Sequence, residues 1–123
     1  MILADTSVWA DHLRVAESGL AELLRNGEVV MHPYVLGEIA LGYLRKRPQW
    51  LSKLHELPSV HVAEPEEVLE LIERRRLVAA GVGYVDVHLL ATTLASQDVK
   101  LWSRDKRLRD IAASFGIAAL LDQ

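Results

Sequence analysis

The 123-residue chain has no cysteine, which excludes disulfides, thiol nucleophiles and thiolate zinc sites. It has no apolar run long enough to cross a bilayer, so no membrane association is expected. No basic leader precedes the strand-like run at Met1, and together with the missing cysteines this sets a cytoplasmic location as the expectation. Excess positive charge is also lacking: 14 Lys and Arg face 17 Asp and Glu, for a formal net charge of −3. That excludes a protein that grips nucleic acid by overall charge, and leaves local contacts open. Repeats, low-complexity tracts and long linkers are absent, so residues 1–123 are expected to form a single domain with one core.

What is present alternates between two periodicities. The apolar run Met1-Ile2-Leu3-Ala4 stops at Asp5, and helical spacing begins at once with Val8, Trp9 and Leu13, capped by Thr6 or Ser7. Further helices are expected over 16–25, 33–44, 48–57, 66–80, 84–97 and 104–115. Short apolar runs at 29–31, 60–62, 100–103 and 117–121 read as strands. Strands alternating with helices predict an α/β domain with a mostly parallel sheet. Basic residues cluster at Arg45-Lys46-Arg47, at Arg74-Arg75-Arg76 and around Arg104, Lys106, Arg107 and Arg109, patterns that also suit solvated helix ends.

Four acids stand where such a fold places chemistry. Asp5 and Asp105 each end a strand, and ligands of open parallel sheets bind outside the C-terminal strand ends, at the point where strand order reverses. Either could be a helix N-cap and nothing more. Glu38 lies in an otherwise apolar helical stretch, and the spacing 38, 42, 45 puts it on one narrow face with Gly42 and Arg45. Gly42 would cost about 1 kcal/mol in that helix interior, which suggests close approach of something polar. Asp86 falls in the first turn of an apolar helix, where the dipole alone would favour it. Four unpaired buried acids would repel one another, so the set calls for a cation. Oxygen-only ligands point to one or two hard divalent ions, Mg²⁺ or Mn²⁺, with phosphate as the natural co-ligand.

Leu3-Ala4-Asp5-Thr6-Ser7-Val8-Trp9, Gly37-Glu38, Tyr84-Val85-Asp86 and Ser103-Arg104-Asp105 fall in the order and rough spacing of PIN-domain nucleases. Across its whole length the chain resembles the VapC-type toxins of bacterial toxin–antitoxin pairs. No single motif is specific; the ordered set of four is. The resemblance implies a three-layer, Rossmann-like α/β/α fold with four to five strands in the order 3-2-1-4-5, which sets Asp5 and Asp105 on adjacent strands. It also implies an Mg²⁺- or Mn²⁺-dependent endoribonuclease that cleaves structured, tRNA-like RNA with metal-activated water. The partners implied are a cognate antitoxin that blocks the site and a second copy in a homodimer.

Matched residue by residue, Asp5, Glu38, Asp86 and Asp105 are the catalytic acids, with Asp5, Asp86 and Asp105 the direct metal ligands. Thr6, Ser7 and Ser103 match the polar positions beside them, and Arg45, Arg104 and Lys106 are candidate backbone contacts, so these six form the expected substrate-binding set. Leu108 departs from the aromatic residue that often follows the last acid, a difference expected to concern packing.

Other small α/β folds fit less well. A receiver domain needs an acceptor Asp at the third strand end, and 57–64 has none. A haloacid-dehalogenase-type phosphatase needs an Asp at the position held by Ser7. A dinucleotide-binding domain needs glycine in the first turn, where Asp5-Thr6-Ser7 stands. A metal-free histidine ribonuclease would need a pair among His12, His32, His55, His61 and His88, and no pair stands out. The remaining alternative is a PIN-like module that binds RNA or a partner without cleaving.

Overall fold

The structure is a computed structural model that describes residues 1–15, 19–119 and 121. The chain opens with β1 (Ile2–Ala4), α1 (Thr6–Arg14), α2 (Gly19–Arg25) and β2 (Val29–Val30). It continues through α3 (Pro33–Leu41), α4 (Arg47–His55), α5 (Pro65–Arg74), α6 (Tyr84–Ala95), β3 (Lys100–Trp102) and α7 (Lys106–Ser114). The expected beginning of the second helix, residues 16–18, and position 120 of the expected last strand lie outside the described residues.

β1 sits at the centre, parallel to both neighbours. Ile2 and Leu3 face Val29 and Val30 on one side, and Ile2, Leu3 and Ala4 face Lys100, Leu101 and Trp102 on the other. The two outer strands expected at 60–62 and 117–121 shrink to single parallel bridges, Met31 with Ser59 and Leu101 with Ala118. They still flank the sheet on the expected sides, so the spatial order is that of a 3-2-1-4-5 sheet with three full strands. Proline accounts for one short edge: Pro58 has no N–H to add to the ladder, and Pro65 already begins α5.

The sheet is buried from both faces. Leu3, Ala4, Val8, Trp9, Leu20, Val35, Leu90 and Leu108 have no exposed surface, and Trp102 is buried beside them. Full burial of each large side chain contributes about 1.5–3 kcal/mol. α6 runs through the interior, buried at every position from Val87 to Thr93. A helix apolar on all sides belongs in a core, and fixing this one also fixes the half-exposed end that carries Asp86.

Two helices end sooner than their apolar patterns suggest. α3 stops at Leu41, and Arg47 donates from its guanidinium to the carbonyls of Ala40 and Gly42, holding the turn. α5 stops at Arg74. There Arg76 takes a left-handed conformation at φ 55°, and Leu77 N donates to Ile72 O at 2.9 Å, which is a Schellman closure without its usual glycine.

Candidate active site

The register of β1 against β3 brings the first and last acids together. Asp5 N donates to Trp102 O at 2.9 Å, which sets Asp5 beside Ser103 where both strands end. Asp5 is 5% exposed. Its Oδ1 accepts from Val8 N at 3.3 Å and from Ser7 Oγ at 2.5 Å, and its Oδ2 accepts from Ser103 Oγ at 2.5 Å. The N-cap of α1 is therefore Asp5 itself, in place of the expected Thr6 or Ser7. A carboxylate at this position accepts the free backbone amide while its charge stays at the strand end.

Ser7 and Ser103 are braces for this carboxylate. Each hydroxyl has one proton, and each gives it to Asp5. Ser7 Oγ then accepts from Arg104 N at 3.0 Å, and Ser103 Oγ accepts from Asp105 N at 3.0 Å. The loop that carries Asp105 is thus tied to Asp5 through two hydroxyls. Asp105 is exposed, and it caps α7 by accepting from Leu108 N at 3.1 Å. Leu108 is fully buried, so its departure from the usual aromatic is a packing matter.

Asp86 sits in the first turn of α6 and accepts from Gly83 N at 3.4 Å. Burial pushes its carboxyl up from the ordinary range, and the negative charges of Asp5, Asp105 and Glu38 push it further in the same direction. All three other acids thus act on one group. Glu38, on α3, accepts from Thr6 Oγ1 at 2.5 Å, a contact that joins α3 to the start of α1.

Two expectations need correction here. Gly42 is not inside a helix: it is the C-cap of α3 with extended backbone (φ −88°, ψ 172°), so residues 38, 42 and 45 share no helical face. Nor are four acids buried together. Asp5 is buried, Asp86 is intermediate, and Glu38 and Asp105 are exposed. Solvent therefore screens part of their repulsion.

The expected cations are placed unevenly. Arg104 donates to Asp11 at 2.6 Å, and the Arg14 and Arg104 guanidiniums hold the Asp11 carboxyl below its ordinary range. Lys106 donates to Asp110 at 2.7 Å. Arg45 is exposed on the loop after α3 and lines a cavity of about 510 Å³ that also touches Thr6 and Glu38. Among the described residues, no salt bridge reaches Asp5, Glu38, Asp86 or Asp105.

No cationic side chain is paired to these acids among the described residues, and oxygen-only donors are of the chemical kind that hard divalent cations prefer. Among the described residues, no three Asp, Glu or His side chains stand close enough together to hold a metal ion as a group. An open arrangement suits Mg²⁺, which keeps several of its waters and binds through few carboxylates.

Two features of the site were not legible in the sequence. His32 and His88 are both buried, and Tyr34 packs against both, with ring centroids 5.0 Å and 4.8 Å away. Their burial removes them as acid–base groups at an open site. Trp50 and Tyr43 line the cavity next to Glu38, and only their aromatic character could have flagged them.

A central parallel β1 ending in a buried aspartate, with three more acids converging on it from α3, α6 and the end of β3, defines a PIN-type domain. The family model for the PIN domain matches residues 2–114, and the chain belongs to that family. Within it the chain is of the VapC type: two relatives, both named Ribonuclease VapC32, are 45% identical to it over 118 residues. They come from Mycobacterium tuberculosis strains CDC 1551 / Oshkosh and ATCC 25618 / H37Rv, and the match covers 96% of this chain and 95% of theirs.

Proposed function

We propose that this chain is a divalent-metal-dependent endoribonuclease, the toxin of a toxin–antitoxin pair, acting on structured RNA of the tRNA kind. The observation that carries the reading is the convergence of Asp5, Glu38, Asp86 and Asp105 with no cationic partner among the described residues. The relatives' printed name, Ribonuclease VapC32, points to the same activity.

Asp5, Asp86 and Asp105 would hold one or two Mg²⁺ or Mn²⁺ ions, with Glu38 beside them. When bound, such an ion supplies Lewis-acid polarisation of a phosphodiester and a more acidic water. The protein's own contribution is orientation. Ser7 and Ser103 fix both oxygens of Asp5, the amide of Asp105 is tied back through Ser103, and Thr6 aims Glu38. Arg45, beside Glu38, would supply positive charge for the phosphate chain, and Arg104 and Lys106 would do so on leaving Asp11 and Asp110. A cognate antitoxin would cover this open face, and the exposed apolar side chains Leu41, Leu69 and Val78 are candidate surfaces for it or for a second copy in a homodimer. The 123 residues would act as one domain in the cytoplasm; no described helix is long and apolar enough to cross a membrane.

The openness of the acid set leaves one other reading, a module that binds RNA without cleaving it. Incubating a total RNA pool with purified protein in Mg²⁺, Mn²⁺ or EDTA separates the two. Cleavage at few sites, dependent on metal and lost in Asp5→Asn, supports the nuclease. RNA binding with no cleavage under any condition supports the module.

A further inference from the structure

The cavity of about 510 Å³ lies beside the acids and shares Thr6 and Glu38 with them. Its walls are apolar, from Leu13, Ile39 and Leu44, with Trp50 completing the lining. Two guanidiniums, Arg14 and Arg45, also border it. A second hollow shares Trp50 and is lined by Lys46, Gln49 and Lys53. Trp50 therefore stands between an apolar hollow and a basic one. Lys53 Nζ lies 5.6 Å from its ring centroid, and His12 packs against the ring edge-on at 6.0 Å. Tyr43 is 92% exposed at the cavity lining, an aromatic ring almost free of protein cover.

The charge here departs from that of the whole chain. Between Glu38 and Glu56 there is no acid, while Arg45, Lys46, Arg47 and Lys53 are all basic, in a protein of net charge −3. Arg47 is engaged with the carbonyls that end α3, which leaves Arg45, Lys46 and Lys53 along the surface that leads away from Glu38.

We propose that this surface is a nucleotide subsite: an unpaired base of the RNA, next to the phosphate held at the acids, enters the cavity and stacks on the aromatic lining that Trp50 and Tyr43 form together. Arg45 and Lys46 then take the phosphates on the flanking side. The proposal rests on the ribonuclease reading of the acid site and adds to it a basis for choosing where the strand is cut. A base has apolar faces that suit Leu13, Ile39 and Trp50, and its backbone has the charge that the rim complements. Base–aromatic stacking is indifferent to which base is present, whereas the cavity walls limit its size. The contiguity of the cavity with Glu38 and the run of basic residues favour RNA over an apolar protein segment, which would need no such run.

The test uses a short labelled single-stranded oligoribonucleotide without divalent metal, so that binding is read apart from cleavage. Trp9 and Trp102 are buried, which leaves Trp50 as the tryptophan that reports at the surface. Wild-type protein should show tryptophan quenching on titration, and an abasic oligonucleotide of the same length should not produce it. Tyr43→Ala, Arg45→Glu and Trp50→Leu should each weaken binding, measured by anisotropy, by about tenfold, the scale of one base–aromatic stack. Tyr43 and Arg45 are exposed, so their variants keep the fold even if Trp50→Leu does not. With Mg²⁺ restored, the preferred cut sites should shift in Tyr43→Ala.

Equal quenching by the abasic strand, or unchanged affinity and cut sites in Tyr43→Ala and Arg45→Glu, overturns the subsite while leaving the nuclease standing. An amphipathic peptide that quenches Trp50 where RNA does not also overturns it and assigns the cavity to a protein segment. Base-dependent quenching in a protein that never cleaves removes the nuclease reading and keeps the subsite.

Discussion

At the scale of single residues, Asp86 and His32 make opposite contributions to stability. The Asp86 carboxyl is raised on folding from its ordinary 3.8, by burial and then by three neighbouring acids. A carboxyl raised on folding stabilises the protein only while protonated; that contribution is lost as pH rises through the raised value. Ionisation of Asp86 therefore destabilises the metal-free fold. Asp86→Asn should raise the melting temperature of metal-free protein by a few degrees while abolishing cleavage. A lower melting temperature would mean that the bond from Gly83 N to Asp86 outweighs burial and the neighbouring acids. His32 works the other way. Burial, then the neighbouring His88, lowers it from 6.5 to about 4. Its stabilising contribution is complete above pH 6.5 and is lost as pH falls towards about 4. The loss over that window is on the order of 3 kcal/mol from His32 alone. Burial lowers His12 and His88 in the same direction. Urea unfolding followed from pH 7 down to pH 4 should show this decline, and His32→Asn should flatten it.

At the scale of elements, glycines mark where the fold does and does not depend on backbone freedom. Gly42 has extended backbone, and a Cβ there would meet only Ile39 O, at 3.6 Å, an ordinary contact. Gly42→Ala should leave the melting temperature within about a degree. Gly81 has φ +85°, and a Cβ there would stand 2.5 Å from Arg107 Nη1. Gly81→Ala should destabilise by about 1–2 kcal/mol, read by chemical denaturation. These two positions also show what was legible in the sequence. The alternation of runs named every helix and the three strands of the sheet, because periodicity reports burial directly. It missed helix ends. Nothing in 42–47 announces that Arg47 folds back on the carbonyls of α3, and nothing in Glu73-Arg74-Arg75-Arg76 announces a left-handed arginine. The α5 ending is made by backbone geometry without a breaker residue, and the α3 ending joins Gly42 at its C-cap to the Arg47 contacts. Asp5, Asp86 and Asp105 were placed from the sequence because strand ends and first turns are local features, whereas the helical face that singled out Glu38 with Gly42 and Arg45 does not exist. The cavity was not legible, because α1, α3 and α4 build it together.

At the scale of the whole molecule, three parallel strands bring acids from the two ends of the chain into one place. Asp5 and Asp105 are a hundred residues apart in sequence, and Ser103 joins them through one hydroxyl. This junction, with Asp86 and Glu38, is proposed to bind a divalent ion. Titration of Mn²⁺ into metal-free protein, followed by electron paramagnetic resonance, tests it without any RNA. Wild type should take up one or two ions, and uptake should fall at least tenfold in Asp5→Asn and Asp86→Asn, with both variants folded by circular dichroism. Equal Mn²⁺ uptake by wild type and both variants, or none by any of them, would contradict the claim.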